Sequence, residues 1–243
     1  MRGDRGWASA ADRILESPLT WLITGINLGV FVIAWLDTEH AGLSLAPEGL
    51  LAYGAMERGI IWSGEYWRLL TCVFLHVGWI HLLWNTYGMF GWCADMERTI
   101  GSGWFAFGYL TTGVGASAVS VLAHPAFGAG ASGAGFGMIG MLLSLMYRRE
   151  RSWDLFVTNP QVRGTLRSTG IWVLIGMSGV MAVDNYAHLG GFAFGILCGL
   201  VVGRRRGRQE RRWILSLAAY ILVWGAVVAA SCVPGWGFQA RGE

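Results

Sequence analysis

The chain contains no lysine; all 18 of its basic residues are arginine. Charge of either sign is scarce: 15 residues are acidic and 14% of the 243 are charged, against about 25% in a soluble domain. That scarcity excludes an ordinary soluble domain. The net charge of +3 is carried by arginines gathered beside apolar runs, so no nucleic-acid partner is expected. Cysteine is also sparse. Cys72, Cys93, Cys198 and Cys232 lie far apart without CxxC or metal-ligand spacing, and are read as small hydrophobes. There is no HExxH, and the five-residue spacing of His76 and His81 puts the two side chains on different helical faces. Neither metal nor cofactor is therefore expected. The N-terminus lacks a short apolar run with a small-residue cleavage site, so the first apolar run is expected to act as an uncleaved signal-anchor. Neither deep charges in several spans nor a repeat between the halves is present, which argues against a transporter built on broken helices.

Apolar runs are abundant: hydrophobic residues make up 54% of the chain, in stretches of roughly membrane-spanning length. The expectation is an all-α polytopic membrane protein with spans at residues 19–36, 79–94, 104–122, 132–147, 169–183, 186–203 and 213–233. Residues 1–18 read as a polar leader closing on Ser17-Pro18, a helix start with a capping hydroxyl and proline in the first turn. Residues 37–77 read as a folded loop half-sunk in the outer leaflet, 95–103 as a short polar turn, and 148–168 as a basic loop. The fifth run is short for a span. Residues 204–243 read as a basic linker, a seventh helix and a short tail. With the N-terminus in the cytoplasm, 15 of the 18 arginines face the cytoplasm and only Arg58, Arg68 and Arg241 face outward, as the positive-inside rule asks.

This topology brings polar groups to one depth. Gly130-Ala131-Ser132-Gly133 opens the fourth span, and Ala187-His188-Leu189-Gly190-Gly191 opens the sixth. His81 and Asn85, four apart on one helical face, lie in the first turns of the second span. All three spans start from the outer side. A serine nucleophile needs a base, for which imidazole is suited. An oxyanion needs donors, which His81, Asn85 and the Ser132 N–H at a helix start can supply. His76 either lines this site or holds its loop. Asp184, four before His188, is better read as an N-cap for the sixth helix than as a third member of a triad. His40 and His124 lie in loops and carry no assigned role. Gly191, Gly195, Gly199 and Gly203 form a stripe on the sixth span that faces Gly133 and Gly137 of the fourth, so the two helices are expected to pack closely.

Taken in chain order, these stretches resemble the rhomboid family of intramembrane serine proteases. Glu65-Tyr66-Trp67-Arg68-Leu69-Leu70-Thr71 is similar to its Trp-Arg loop motif, and His76 with the HxxxN pair His81/Asn85 to its second-helix motif. Glu97-Arg98-Thr99-Ile100-Gly101 resembles its ExxxG turn, Gly130 to Gly133 its GxSG, and Ala187-His188 with Gly191 and Gly195 its AHxxGxxxG. The resemblance covers about residues 65–195. It implies a six-helix catalytic core at residues 19–203, with the seventh helix as a C-terminal addition. It also implies a dyad of Ser132 and His188, an oxyanion site of His81, Asn85 and the Ser132 backbone, and loop-holding roles for Arg68 and Glu97. The implied activity is endoproteolysis of single-span or other transmembrane substrates within the bilayer. Phe136 stands where the family often has tyrosine, so the ring there can pack on His188 without donating a hydrogen bond. The alternative is a catalytically idle relative, a membrane chaperone or client-binding protein; such relatives lack the serine or the histidine, and both are present. Arginine-only basic usage points to a GC-rich bacterial genome, hence a multi-pass protein of the bacterial inner membrane. The sequence sets no oligomeric state.

Overall fold

The computed structural model describes residues 16–125, 127–177 and 183–202. The leader up to residue 15, the end of the fifth span, Gly203, the arginine cluster and the seventh span lie outside the described residues.

Helix α1 (Pro18–Asp37) begins at a proline, whose missing N–H loses nothing in a first turn. Ser17 does not cap it through its side chain, contrary to expectation. The anion at this N-terminus is instead the carboxylate of Glu97, which accepts from the N–H groups of Leu19 (2.9 Å) and Thr20 (2.7 Å) and from the Thr20 hydroxyl (2.8 Å). Glu97 is buried to 1% exposure, so it anchors a helix end rather than a loop.

The long connection that follows is built from small elements. These are the hairpin β1 (His40–Ala41) and β2 (Ser44–Leu45), α2 (Pro47–Ala52), β3 (Met56–Glu57), α3 (Arg58–Trp62), α4 (Arg68–Thr71) and a 3₁₀ turn at Cys72–Phe74. Leu45, Leu50, Ala55 and Leu75 bury against Phe31 and Ala34 of α1, which fastens the connection to the helices. Arg68 bonds Glu65 through Nε (2.7 Å) and the carbonyls of Leu51 (2.7 Å) and Ala55 (3.1 Å) through Nη1. One buried guanidinium thereby ties α2 to α4.

Helix α5 (Trp79–Gly88) passes through a π-helical turn, Met89–Cys93, into α6 (Ala94–Ile100). The polar turn expected at 95–103 is therefore mostly helix. Its charges sit on helical faces, Asp95 paired with Arg98 outside and Glu97 turned inward to α1. Only Gly101, at φ 78°, makes the turn into α7 (Ser102–Ala123). Strand β4 (Phe127–Gly128) pairs antiparallel with β3, and α8 (Ser132–Glu150) follows. The basic loop expected at 148–168 is also corrected. It holds the end of α8, α9 (Trp153–Thr158) and the start of α10 (Pro160–Met177). The signal was Asn159-Pro160: Asn159 Oδ1 accepts from the Gln161 N–H (2.9 Å) and proline occupies the first turn, while Arg163 and Arg167 lie on exposed faces. The fifth helix is thus longer than its apolar run.

Helix α11 (Asn185–Val201) completes the described bundle and packs along α8 and α7. A Cβ on Gly191 would fall on the carbonyl oxygen of Gly133, and one on Gly195 on that of Gly137, so the two helices touch backbone to backbone. Arg148 closes the other end by donating to the carbonyls of Gly199 and Val202 (2.7 Å each), where a cation complements a helix C-terminus. Gly195→Ala must push α11 away from α8 and is expected to destabilise by about 1–3 kcal/mol, the range for overpacking. Gly170→Ala on α10, where a Cβ meets open space, is expected to be neutral or slightly stabilising. Thermal unfolding in detergent compares the two.

Among the described residues two helices, α1 and α7, are long and apolar enough on their own to cross a membrane. Leu22, Ile26, Ile33 and Leu36 of α1 are exposed, the surface a lipid-facing helix presents.

Candidate active site

Ser132 is the first residue of α8. The chain reaches it through Gly130, whose φ of 150° and whose contact with the His81 ring leave no space for a side chain: a Cβ would lie 2.6 Å from His81 Cε1. The Gly130 N–H donates to the Cys72 carbonyl (2.8 Å), and β4 is paired to β3, so this approach is held on both sides.

His188 stands in the first turn of α11. Its Nε2 lies 2.8 Å from Ser132 Oγ. Phe136, one turn along α8 from Ser132, stacks on its imidazole with centroids 4.0 Å apart and planes 11° from parallel. The other ring nitrogen, Nδ1, has no hydrogen-bond partner among the described residues. Asp184 does not supply one. Its carboxylate caps α11 by accepting from the Ala187 N–H (2.9 Å), and it also meets the Ser120 hydroxyl and His124 Nε2 (3.3 Å). Among the described residues the serine–imidazole pair therefore has no third, carboxylate member.

His81 and Asn85 face the same cavity, of about 430 Å³, as Ser132, His188, Gly130, Gly133 and Phe136. The Val77 N–H points at His81 Nδ1 from 3.5 Å, a long contact that favours the tautomer with its proton on Nε2, the nitrogen beside Gly130. The Asn85 amide donates one N–H to the His81 carbonyl (2.9 Å), leaving its second for other acceptors. The N–H of Ser132, in the first turn of α8, has no acceptor within its own helix. The site thus has a hydroxyl on an imidazole and up to three N–H donors around one chamber.

Other residues expected at the site lie behind it. His76 is fully buried and does not line the cavity; its ring packs 5.4 Å from that of His81. Arg68, Glu97, Gly191 and Gly195 also lie off the cavity and act on the elements that bear it. Two features border the chamber, and only the second was missed in the sequence. Trp172 of α10 closes one wall by packing edge-on to Trp84 (5.0 Å) and Trp92 (6.3 Å) of the second span. Ser120, His124 and Asp184 form a polar cluster beside the chamber. The one-turn spacing of Ser120 and His124 at the end of α7 was the available signal.

The fold and the site define a helical membrane protein in which three helices enclose a serine, its imidazole partner and N–H donors. A family model described as the Rhomboid domain matches residues 63–205. The chain is 34% identical over 203 residues to Rhomboid protease GluP of Bacillus subtilis (strain 168), covering 83% of this chain and 38% of that protein. It is 31% identical to Rhomboid-type serine protease 2 of Emericella nidulans (74% of this chain, 35% of that protein) and 30% identical to Rhomboid-like protease 1 of Toxoplasma gondii (87% and 75%). The chain belongs to the rhomboid family. It spans well under half the length of the first two of these relatives and three quarters of the third.

Proposed function

We propose that this protein is an intramembrane serine endopeptidase that hydrolyses peptide bonds in or near transmembrane helices of other membrane proteins. The observation that carries the reading is the 2.8 Å contact of Ser132 Oγ with His188 Nε2 inside the chamber. Ser132 Oγ attacks the peptide carbonyl carbon as His188 Nε2 takes its proton. The carbonyl oxygen becomes an oxyanion and draws on His81 Nε2–H, the free Asn85 N–H and the Ser132 N–H. The C–N bond then breaks while His188 returns its proton to the departing amine, leaving an acyl ester on Ser132. Water, deprotonated by His188, attacks the ester and restores the hydroxyl. The Ser132–His188 contact speaks against an idle, client-binding role.

The proposal includes a six-helix core over residues 19–203 and a seventh helix at 213–233 with the basic linker before it. It also places the N-terminus in the cytoplasm, in the inner membrane of a bacterium. Purified protein in liposomes with a single-span substrate tests the activity. Cleavage whose product termini are fixed by mass spectrometry, and which Ser132→Ala abolishes, supports the reading; cleavage at the wild-type rate by Ser132→Ala overturns it.

Substrate reaches the chamber, in this reading, between α5 and α10. Of α10 only Val162 is buried, so few packed side chains hold this wall, while Ile171, Leu174 and Met177 are exposed as on a lipid-facing helix. Trp172→Ala removes its contacts with Trp84 and Trp92 and is expected to raise kcat/KM for helical substrates several-fold, about 2- to 10-fold where admission limits the rate. A verified, reducible cross-link between α5 and α10 is expected to stop cleavage reversibly. Unchanged activity with the link closed contradicts admission there.

A further inference from the structure

The Ser120–His124–Asp184 cluster spans two elements. Ser120 lies in the last turn of α7, and His124 immediately follows that helix. Asp184 precedes α11. Ser120 is fully buried, and its hydroxyl meets both Asp184 Oδ2 and, at 3.2 Å, His124 Nε2. His124 Nε2 also lies 3.3 Å from Asp184 Oδ1, and its ring packs 4.9 Å from that of Tyr186 in α11. The same Asp184 oxygen that meets His124 accepts from the Ala187 N–H, and the Asp184 carbonyl accepts from the His188 N–H at 3.1 Å. One carboxylate thus joins the end of α7 to the turn of backbone that carries His188. Nothing polar holds the imidazole itself except Ser132, since Nδ1 has no partner among the described residues and Phe136 offers only a ring face.

We propose that Ser120, His124 and Asp184 form a clasp that positions His188 over Ser132, with Asp184 as the chief positioning residue. The proposal rests on the serine-protease reading above. Here the aim of the base is set through the backbone of its own helix, and the carboxylate acts on the first turn of α11 rather than on Nδ1. Ser120 is the buried member and His124 and Asp184 are partly buried, so the loss of either partner leaves the Ser120 hydroxyl short of a bond that water does not readily replace. A displacement of the base by about 1 Å is enough to slow chemistry by up to 10²-fold.

The variants separate clasp from cap. Ser120→Ala and His124→Phe break the clasp and leave the Asp184–Ala187 cap intact; His124→Phe also keeps a ring on Tyr186. Asp184→Asn retains a capping oxygen but not the charge. Rates are taken per active site, counted by titration with a fluorophosphonate, so that loss of folded protein does not enter. Each variant is expected to lower kcat by about 10- to 10²-fold with KM nearly unchanged. Ser120→Ala combined with Asp184→Asn is expected to be no worse than Asp184→Asn alone. Amide hydrogen exchange at Ala187 and His188 is expected to quicken in all three single variants, a readout that needs no protease activity. Unchanged kcat per site with unchanged exchange overturns the clasp while leaving the protease reading in place. Faster exchange in a protein whose wild type cleaves nothing upholds the clasp geometry and overturns the protease reading instead. Fully additive losses in the double variant also overturn the clasp.

Discussion

Ser132→Ala and His188→Ala are each expected to reduce cleavage of a membrane-embedded substrate by about 10⁴- to 10⁶-fold, and the double variant to lose no more than either. The non-additivity follows from the geometry. With Ser132 Oγ 2.8 Å from His188 Nε2, one proton transfer serves both residues, and removing either end removes the whole step. His188→Gln separates shape from basicity: it fills much of the same space between Phe136 and Ser132 but cannot accept the proton, so it is expected to be as inactive as the alanine variant. Thermal unfolding should change little in Ser132→Ala, which removes one hydroxyl. Additive losses, or a His188→Gln variant of wild-type rate, would show that the pair does not act as a unit.

The second large effect lies on the oxyanion side. His81→Ala is expected to lower kcat by about 10²- to 10³-fold with little change in KM, because a donor aimed at developing charge acts on the transition state. The donor is preset. The Val77 N–H faces Nδ1, which favours a proton on Nε2, and Gly130 lets the chain pass close against this side of the ring. Asn85→Ala is expected to lose less than His81→Ala, since one Asn85 N–H is already committed to the His81 carbonyl. Residual activity should survive in both variants because the Ser132 N–H and the Ser132–His188 pair remain. A rise in KM alone, with kcat unchanged, would place these two side chains in substrate binding instead.

Much of this was legible in the sequence because a membrane imposes simple rules. Apolar runs bounded α1 and α7 to within one or two residues, since lipid-facing helices must be apolar along their length. The glycine stripe on α11 foretold its contact with α8, because glycine at every fourth position has few other uses. The errors fell where charge was read as loop. Asp95, Glu97 and Arg98 sit on a continuing helix, with Glu97 turned inward to an N-terminus more than 70 residues away in sequence. Arg163 and Arg167 sit on the exposed side of α10, whose start at Asn159-Pro160 was present but outweighed by the arginines. Local pattern also could not say that Ser17 yields its capping role to Glu97, that His76 backs His81 instead of lining the chamber, or that His124 meets Asp184. Each of these is a contact between distant segments, fixed by how the helices assemble.

If His188 makes Ser132 a nucleophile, a fluorophosphonate probe reacts at Ser132 and depends on His188. The protein is held in liposomes, and intact mass followed by peptide mapping reads the adduct. A single adduct on Ser132, formed with loss of fluoride, is expected, and none in Ser132→Ala. Labelling should slow by orders of magnitude in His188→Ala, and slow but stay confined to Ser132 in His81→Ala. An adduct on another residue, or labelling of Ser132 in His188→Ala at the wild-type rate, would contradict it.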